Sequence, residues 1–307
     1  MATYLEPGWI ERFAELWEKL GPETRTAILD LLPADWSFDG KRVMDFGCGA
    51  GRTLRYFMAE AERAELWGVD IDAGSIELLR ETVSPPLHLM RSGHMPPLEL
   101  ESASFDLIWS ISVFTHLTDN SLPWLLELHR LLKPGGLLLA TYMGRWVSEL
   151  LAGEPWDEDR IGMNVLRHDH PASDGGPLVL ISDWWLREHW GRAFEVVEIA
   201  PQIHNQSWVV LRKRDVRLSV AELKRPSEDP REHAALRHNV SQLQRELEQR
   251  GRDATQEAEQ SAQAAREDAA AETERVRREY EQSLSWALTR PVRLTGRAIR
   301  SLRARRG

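Results

Sequence analysis

The chain has 307 residues, 42% of them apolar, and a single cysteine. That is length for roughly two domains and no basis for an internal disulfide framework, so a reducing compartment suits it. The net charge is −9, but Trp286–Gly307 carries seven arginines and no acid, which leaves −16 on residues 1–285. An acidic body with a basic tail argues against nucleic acid as a partner of the body.

The first residues show no basic stretch running into an apolar one, so no secretory leader is expected. No apolar run approaches the ~18 residues that a membrane span needs. A cytoplasmic protein is expected. Trp9, Ile10, Phe13, Leu16, Trp17 and Leu20 recur at helical spacing, and residues 8–20 and 22–32 read as two helices broken at Gly21-Pro22. They either lie over a ligand cleft or simply pack on the body.

The most informative stretch is Lys41–Arg52, K-R-V-M-D-F-G-C-G-A-G-R. A short apolar strand, Val43–Phe46, runs into Gly47, Gly49 and Gly51, and a helical pattern follows over Thr53–Glu60. A strand, a glycine turn and a helix start let a ligand approach the backbone closely and offer N–H groups to an anion. A dinucleotide fingerprint would need glycine where Arg52 stands, which counts against a nicotinamide-dependent oxidoreductase. A Walker A loop would need G-K-S/T, which is absent. Cys48, between glycines, reads as a small buried residue of a tight turn rather than a nucleophile.

Asp45-Phe46-Gly47-Cys48-Gly49-Ala50-Gly51 resembles the first motif of class I S-adenosylmethionine-dependent methyltransferases. The resemblance covers residues 36–213. It implies an α/β, Rossmann-like fold: a seven-stranded, mostly parallel sheet with the last strand antiparallel and helices on both faces. It also implies S-adenosylmethionine as cofactor, with Asp45, Gly47, Gly49, Gly51 and Arg52 around it.

Downstream signals keep the order of that family. Glu65–Asp70 reads as a second strand ending in an acid about twenty residues past the glycines, an offset suited to a carboxylate accepting from two ribose hydroxyls. By similarity Asp70 is the ribose ligand, with Ile71 beside it, and Asp72 the cap of a helix over Gly74–Glu81. Leu87–Met90 is a third strand. After it the family often has an acid for the adenine amino group; here Ser92 and His94 occupy that region, so backbone N–H groups of Gly93 or His94 are expected to read the ring.

Ser104–Ser112 is a buried fourth strand. Asp106 lies at its start, away from the ligand edge, and reads as structural; Ser110 to His116 falls on the ligand side. Asp119-Asn120-Ser121 caps a helix over Leu122–Leu132, and L-K-P-G-G (Leu132–Gly136) stops it before a fifth strand, Leu137–Tyr142. From Met143 to Ser182 the pattern is poor; in the family this insert shapes the acceptor pocket. His168-Asp169-His170 is weighed as a metal site and set aside, because adjacent side chains diverge. Ser182 caps a helix over Asp183–Trp190. Phe194–Ala200 and Ser207–Arg212 form a closing hairpin, whose tip brings His204 and Asn205 to the ligand edge.

The resemblance implies methyl transfer to a nucleophile. A base for a hydroxyl acceptor helps that reaction; His116 is the first candidate and His204 another, with His168, Asp169 and His170 in reserve. No N-P-P-Y-like tetrapeptide follows the fourth strand. A sugar or glycan precursor is the expected acceptor, another small molecule the rival, and a non-catalytic scaffold the alternative.

The expected organisation is cap helices over 1–35, a methyltransferase domain over 36–214, a linker over 215–231, a helical segment over 232–284 and a basic tail over 285–307. Leu236, Val240, Leu243 and Leu247 give a short coiled-coil seam, which predicts a homo-oligomer; partial disorder is the other reading. The tail, S-L-S-W-A-L-T-R-P-V-R onward, resembles a motif of bacterial surface-polysaccharide enzymes. It suits peripheral contact with the inner membrane face, contact with an acidic partner, or a solvated tail.

Overall fold

The computed structural model describes residues 9–151, 153, 155–168, 176–203 and 205–283. The expectations for His204, Asp169, His170 and the basic tail lie outside the described residues.

Helix α1 spans Trp9–Leu31 without a break at Pro22, in place of the two helices expected. Proline removes one backbone donor, a loss that burial of a helix face can outweigh. Ala27 and Ile28 are buried with Val43, Phe57 and Trp109, so the second half of α1 packs on the sheet. Arg25 pairs with the buried Glu60 at 2.5 Å, tying that half to the segment after the glycine loop.

The body then runs β1 (Arg42–Phe46), β2 (Glu65–Asp70), α2 (Ala73–Thr82), β3 (His88–Arg91), β4 (Phe105–Ser110), α3 (Ser121–Leu131) and β5 (Leu132–Tyr142). It continues through β6 (Met163–Leu166), β7 (Leu178–Ile181), α4 (Asp183–His189), β8 (Phe194–Ile203), β9 (Gln206–Lys213), α5 (Val220–Lys224) and α6 (Pro230–Gln282). The seven-stranded sheet has the order β3-β2-β1-β4-β5-β9-β8. Strands β1 to β5 pair in parallel, and β9 runs antiparallel to both neighbours. This is the expected seven-stranded architecture.

Side chains alternate between the faces, as strand geometry requires. Leu107, Trp109, Leu137, Leu139, Trp208 and Val210 join the core under α1 and α2. Ile108, Leu138, Ala140, Val209 and Leu211 join the core under α3 and α4, together with Phe105, which lies before the irregularity in β4. The apolar runs of the central strands therefore reflect burial on both faces.

At the amino end of β4, Asp106 accepts from Arg42 N at 3.0 Å and from Lys133 Nζ at 2.7 Å. Burial alone would raise its pKa, but the Arg42 N–H and the two lysines, Lys133 and Lys41, outweigh it and hold the carboxyl below its usual range. Asp106 is thus a structural tie, and the lysine of L-K-P-G-G is its partner. β5 begins already at Leu132, paired with Phe105, and the register slips before Leu107 meets Leu137. Residues 133–136 bulge between the two registers rather than forming a free turn.

The insert after β5 is more ordered than its pattern suggested. It holds a π-helical turn, Val147–Leu151, and the antiparallel β6–β7 hairpin. The compact first unit continues past Arg214, to Val240. Inside it, α5 carries a capping box between Ser219 and Glu222, and Leu223 is fully buried. The first turns of α6 dock on the body: Glu232 meets His189 at 2.9 Å with both side chains buried, and Asn239 donates to Met163 O at 2.8 Å. The second unit contains the remainder of α6, where Leu243, Leu247, Val276 and Tyr280 are exposed.

Candidate cofactor and acceptor site

β1 delivers the glycine loop to the carboxyl edge. Gly47 N and Cys48 N both donate to Val69 O, at 2.7 and 3.1 Å, so the loop is laced to the end of β2. Gly47, Gly49 and Gly51 have φ of +85°, +50° and +81°. At Gly47 there is a second constraint: a Cβ there would lie 2.1 Å from Val113 Cγ2. Only glycine satisfies both the backbone and that contact.

Asp70 faces the loop. Its Oδ2 accepts from Gly49 N at 2.7 Å and its Oδ1 from Asp72 N at 2.8 Å. Each carboxylate oxygen keeps a further lone pair. Asp72 caps α2, accepting from Ser75 N at 2.8 Å, the role expected of it.

Asp45 is 2% exposed, and its Oδ2 has no hydrogen-bond partner among the described residues. Burial pushes its pKa up to about 7; Trp109 and the charge of Arg52 pull the other way. Burial also pushes the Cys48 thiol up, so it stays a thiol and is no nucleophile.

The segment after the loop differs from expectation. Thr53–Glu60 was expected as an α-helix; it forms two short 3₁₀ turns, Leu54–Phe57 and Glu60–Glu62. The buried Glu60–Arg25 pair and the packing of Leu54 and Phe57 hold this tighter path. An anion is therefore not met by an α-helix start at this loop.

Ser92 N donates to Asp70 O at 2.8 Å and Arg91 Nε to Ile71 O at 3.2 Å, so the Ser92–His94 loop starts beside Asp70. His94 O accepts from Asn120 Nδ2 and Trp124 Nε1, both at 3.2 Å. That bond corrects the cap expected from Asp119-Asn120-Ser121: Asn120 is at the cap position, but its side chain makes no cap bond and reaches the His94 carbonyl instead. Gly93, His94 and Ile71 are exposed, with Ile71 at 40%.

At the end of β4, Ser110 is fully buried and its Oγ is also without a partner among the described residues. His116 is exposed and its Nδ1 lies 2.9 Å from Pro177 O. A carbonyl only accepts, so in the neutral ring Nδ1 carries the proton and Nε2 is left with a lone pair. Thr115 O accepts from Val179 N at 2.8 Å, so the insert hairpin clamps this turn. Tyr142 is excluded as a base: burial raises its hydroxyl pKa, and it donates to Asp183 Oδ1 at 2.6 Å.

His168 sits elsewhere. It lines a cavity of about 240 Å³ with Thr118, Leu122, Trp185 and Glu232, away from the glycine loop residues. Sequence reading missed Ser112, Thr141 and Gln206. Ser112 N donates to Thr141 Oγ1 at 2.7 Å, and the Ser112 hydroxyl bonds both ends of the Gln206 amide. Nothing in the local pattern marks residues that meet across 94 positions.

Residues 44–140 match a family described as a methyltransferase domain. The match makes this stretch similar to methyltransferase domains, and its cofactor by that likeness is S-adenosylmethionine. It is 31% identical over 123 residues to a phthiotriol/phenolphthiotriol dimycocerosates methyltransferase of Mycobacterium ulcerans, covering 38% of this chain and 44% of that one. It is 29% identical over 177 residues to a ubiquinone biosynthesis O-methyltransferase of Chelativorans, covering 48% and 66%. The chain thus spans about half to two thirds of the length of these curated relatives. The structure is similar to an S-adenosylmethionine-dependent methyltransferase from Mesorhizobium loti, with 17% identity, TM-score 0.46, and coverage of 61% and 96%.

The residues at the glycine loop fit such a cofactor on their own terms. A Cβ on Gly49 would meet nothing within 4 Å, leaving room at the loop's tip. The unpartnered atoms of Asp45 and Ser110 lie on neighbouring strands, and Asp70 keeps spare acceptor capacity. Asp70 would hold the ribose, the glycine loop the amino-acid part, and the Ser92–His94 loop the base. Bound there, S-adenosylmethionine supplies a methyl group already activated by a positive sulfur.

Proposed function

We propose that this protein methylates a hydroxyl group of a sugar or glycan precursor. The cofactor half rests on one observation, Asp70 turned onto the glycine loop with Oδ2 2.7 Å from Gly49 N. The loop and the acid then hold the adenosyl part, and the sheet's carboxyl edge orients the acceptor. Holding the two reactants aligned is the main task left to the protein. His116, with Nε2 free to accept, is the proposed base for the acceptor proton, and His204 the second candidate. The resemblance of the tail to surface-polysaccharide enzymes supports the glycan reading. So does the S-I-S-V-F run at Ser110–Phe114, where amino-group methylases carry a different tetrapeptide.

Calorimetry with S-adenosylmethionine followed by transfer of labelled methyl to sugar nucleotides tests the proposal. Turnover on a sugar hydroxyl supports it. Binding without turnover on any acceptor favours the scaffold reading, and turnover on an unrelated small molecule favours the rival enzyme. Mass spectrometry of the surface glycan in a deletion strain checks the biology; an unchanged methylation pattern counts against the glycan.

Exposure of Leu236, Val240, Leu243 and Leu247 at 46, 56, 40 and 64% supports self-association along α6 as a coiled coil. No described helix is long and apolar enough to cross a membrane. A cytoplasmic protein, with its basic tail touching the inner membrane face or an acidic partner, completes the reading. Sedimentation of the full chain tests the seam, and vesicle binding tests the tail.

A further inference from the structure

The parallel pairing of β4 with β5 ends at Ser110 and Ala140. Just beyond it the chain turns at Ser112, whose φ of +61° is one that L side chains rarely adopt. The next residue of β5 holds it there: Ser112 N donates to Thr141 Oγ1 at 2.7 Å. The Ser112 hydroxyl is held separately, by the Gln206 amide. Backbone strain of this kind persists where the surrounding structure enforces it, and it concentrates at functional sites.

Thr141 is out of character with its row. Leu137 and Leu139 precede it on the same face of β5, both in the core under α1 and α2, and Thr141 is itself fully buried. Alternation calls for an apolar side chain at that place. A buried hydroxyl is costly unless it is hydrogen-bonded, and valine has nearly the same shape without that cost. Among the described residues the Thr141 hydroxyl bonds Ser112 N, so the hydroxyl's contribution is to the turn.

The turn in turn reaches the glycine loop. A Cβ on Gly47 would lie 2.1 Å from Val113 Cγ2, so Val113 rests on Gly47. Val113 O accepts from His116 N at 2.9 Å, which puts the loop contact and the candidate base on one hydrogen-bonded turn. The insert fastens the far end of that turn, at Thr115 O and His116 Nδ1, and Thr141 fastens the near end. The strand order β1-β4-β5 sets Thr141 two strands from Gly47, roughly 10 Å at the usual spacing. Its influence on the loop runs through Ser112 and Val113.

We propose that Thr141 is a positioning residue of the cofactor site: its hydroxyl pins Ser112 in the left-handed conformation, which holds Val113 on Gly47 and keeps the glycine loop in its binding path. This rests on the methyltransferase reading above and names a residue outside the loop on which cofactor affinity depends.

Variants of the full chain test it. Thr141→Val removes the acceptor at nearly constant shape, and Thr141→Ser keeps it. Calorimetry is expected to show S-adenosylhomocysteine binding about tenfold weaker in Thr141→Val, as loss of one hydrogen bond allows, and within about twofold of the parent in Thr141→Ser. Val113→Ala removes the other end of the brace and should lose a similar factor. The two changes together should lose no more than the larger single loss, because both break one contact. A second readout needs no cofactor. In the ¹⁵N-labelled free protein Thr141→Val is expected to move the Gly47 amide resonance, and Thr141→Ser to leave it in place. Glu232→Ala, a change in the α6 dock, controls for stability alone and should leave Gly47 unmoved. The inference is overturned by a Gly47 resonance that ignores Thr141→Val, by parental affinity in Thr141→Val or Val113→Ala, by single losses that add in the pair, or by Thr141→Ser binding as weakly as Thr141→Val. Val113→Ala, at a half-buried position, carries the test should Thr141→Val not fold. A parent that binds no S-adenosylhomocysteine sinks the methyltransferase reading instead, and the Gly47 resonance then decides whether Thr141 sets the loop.

Discussion

The two halves of the sheet's carboxyl edge are built differently. From β1 to β3 the residues expected at the cofactor come from one continuous stretch, Asp45 to His94, and the strand ends that carry them are tied to one another by backbone bonds. From β4 to β9 the edge is assembled from distant pieces: Ser112 meets Gln206, Tyr142 meets Asp183, and His116 meets Pro177. The first half leaves its geometry little freedom, because φ, glycine and register fix it. The second depends on segments far apart in the chain, with Gln206 from β9, Asp183 from α4 and Pro177 from the insert just before β7. A constant cofactor and a variable acceptor call for that division.

The sharpest way to break the comparison is at Asp70. Asp70→Ala removes the acceptor for both Gly49 N and the ribose, so affinity for S-adenosylhomocysteine should fall about 100-fold, the worth of two hydrogen bonds to a charge. Calorimetry reads this, and a loss under fivefold removes Asp70 as the cofactor's anchor. The opposite behaviour is expected at Glu232. Glu232→Ala leaves the buried His189 without its carboxylate and should lower stability by about 3 kcal/mol. Denaturant unfolding measures that cost, and cofactor affinity of the folded fraction should not change; a matched drop in both would erase the distinction between the halves.

Gly47→Ala should cost about 2 kcal/mol, because the new methyl meets both a positive φ and Val113. A melting temperature equal to the parent's would show the loop to be loose. The last test is a slope. Asp45 titrates at 3.8 when unfolded and at about 7 when folded. Between those values the unfolded chain ionises first, so the cofactor-free protein should lose stability as pH rises from 3.8 to about 7 and level off above. Asp45→Asn should flatten that segment of the pH–melting curve, and an unchanged slope would place the titration elsewhere.

Local chemistry was enough for much of this. The D-x-G-x-G-x-G spacing, Asp70 at a strand end, the cap at Asp72 and the structural role of Asp106 all follow from residues close in sequence or from which strand end they occupy. The seven-stranded sheet was implied by the resemblance of the glycine motif, while the short apolar runs marked the central strands because those are buried on both faces. Two local readings failed where tertiary packing won: α1 continues through Pro22, and Thr53–Glu60 tightens into 3₁₀ turns around the Arg25–Glu60 pair.

What the amino-acid order determined by itself was the glycine loop and the acid that faces it, because turn conformation, capping and strand periodicity are short-range. What only the folded chain decided was the β4-to-β9 half of that edge and the extent of the body. Ser112 is poised by Thr141 and Gln206, and the start of α6 is docked by His189 and Asn239. Those contacts join residues tens of positions apart, and no pattern within a single element encodes them.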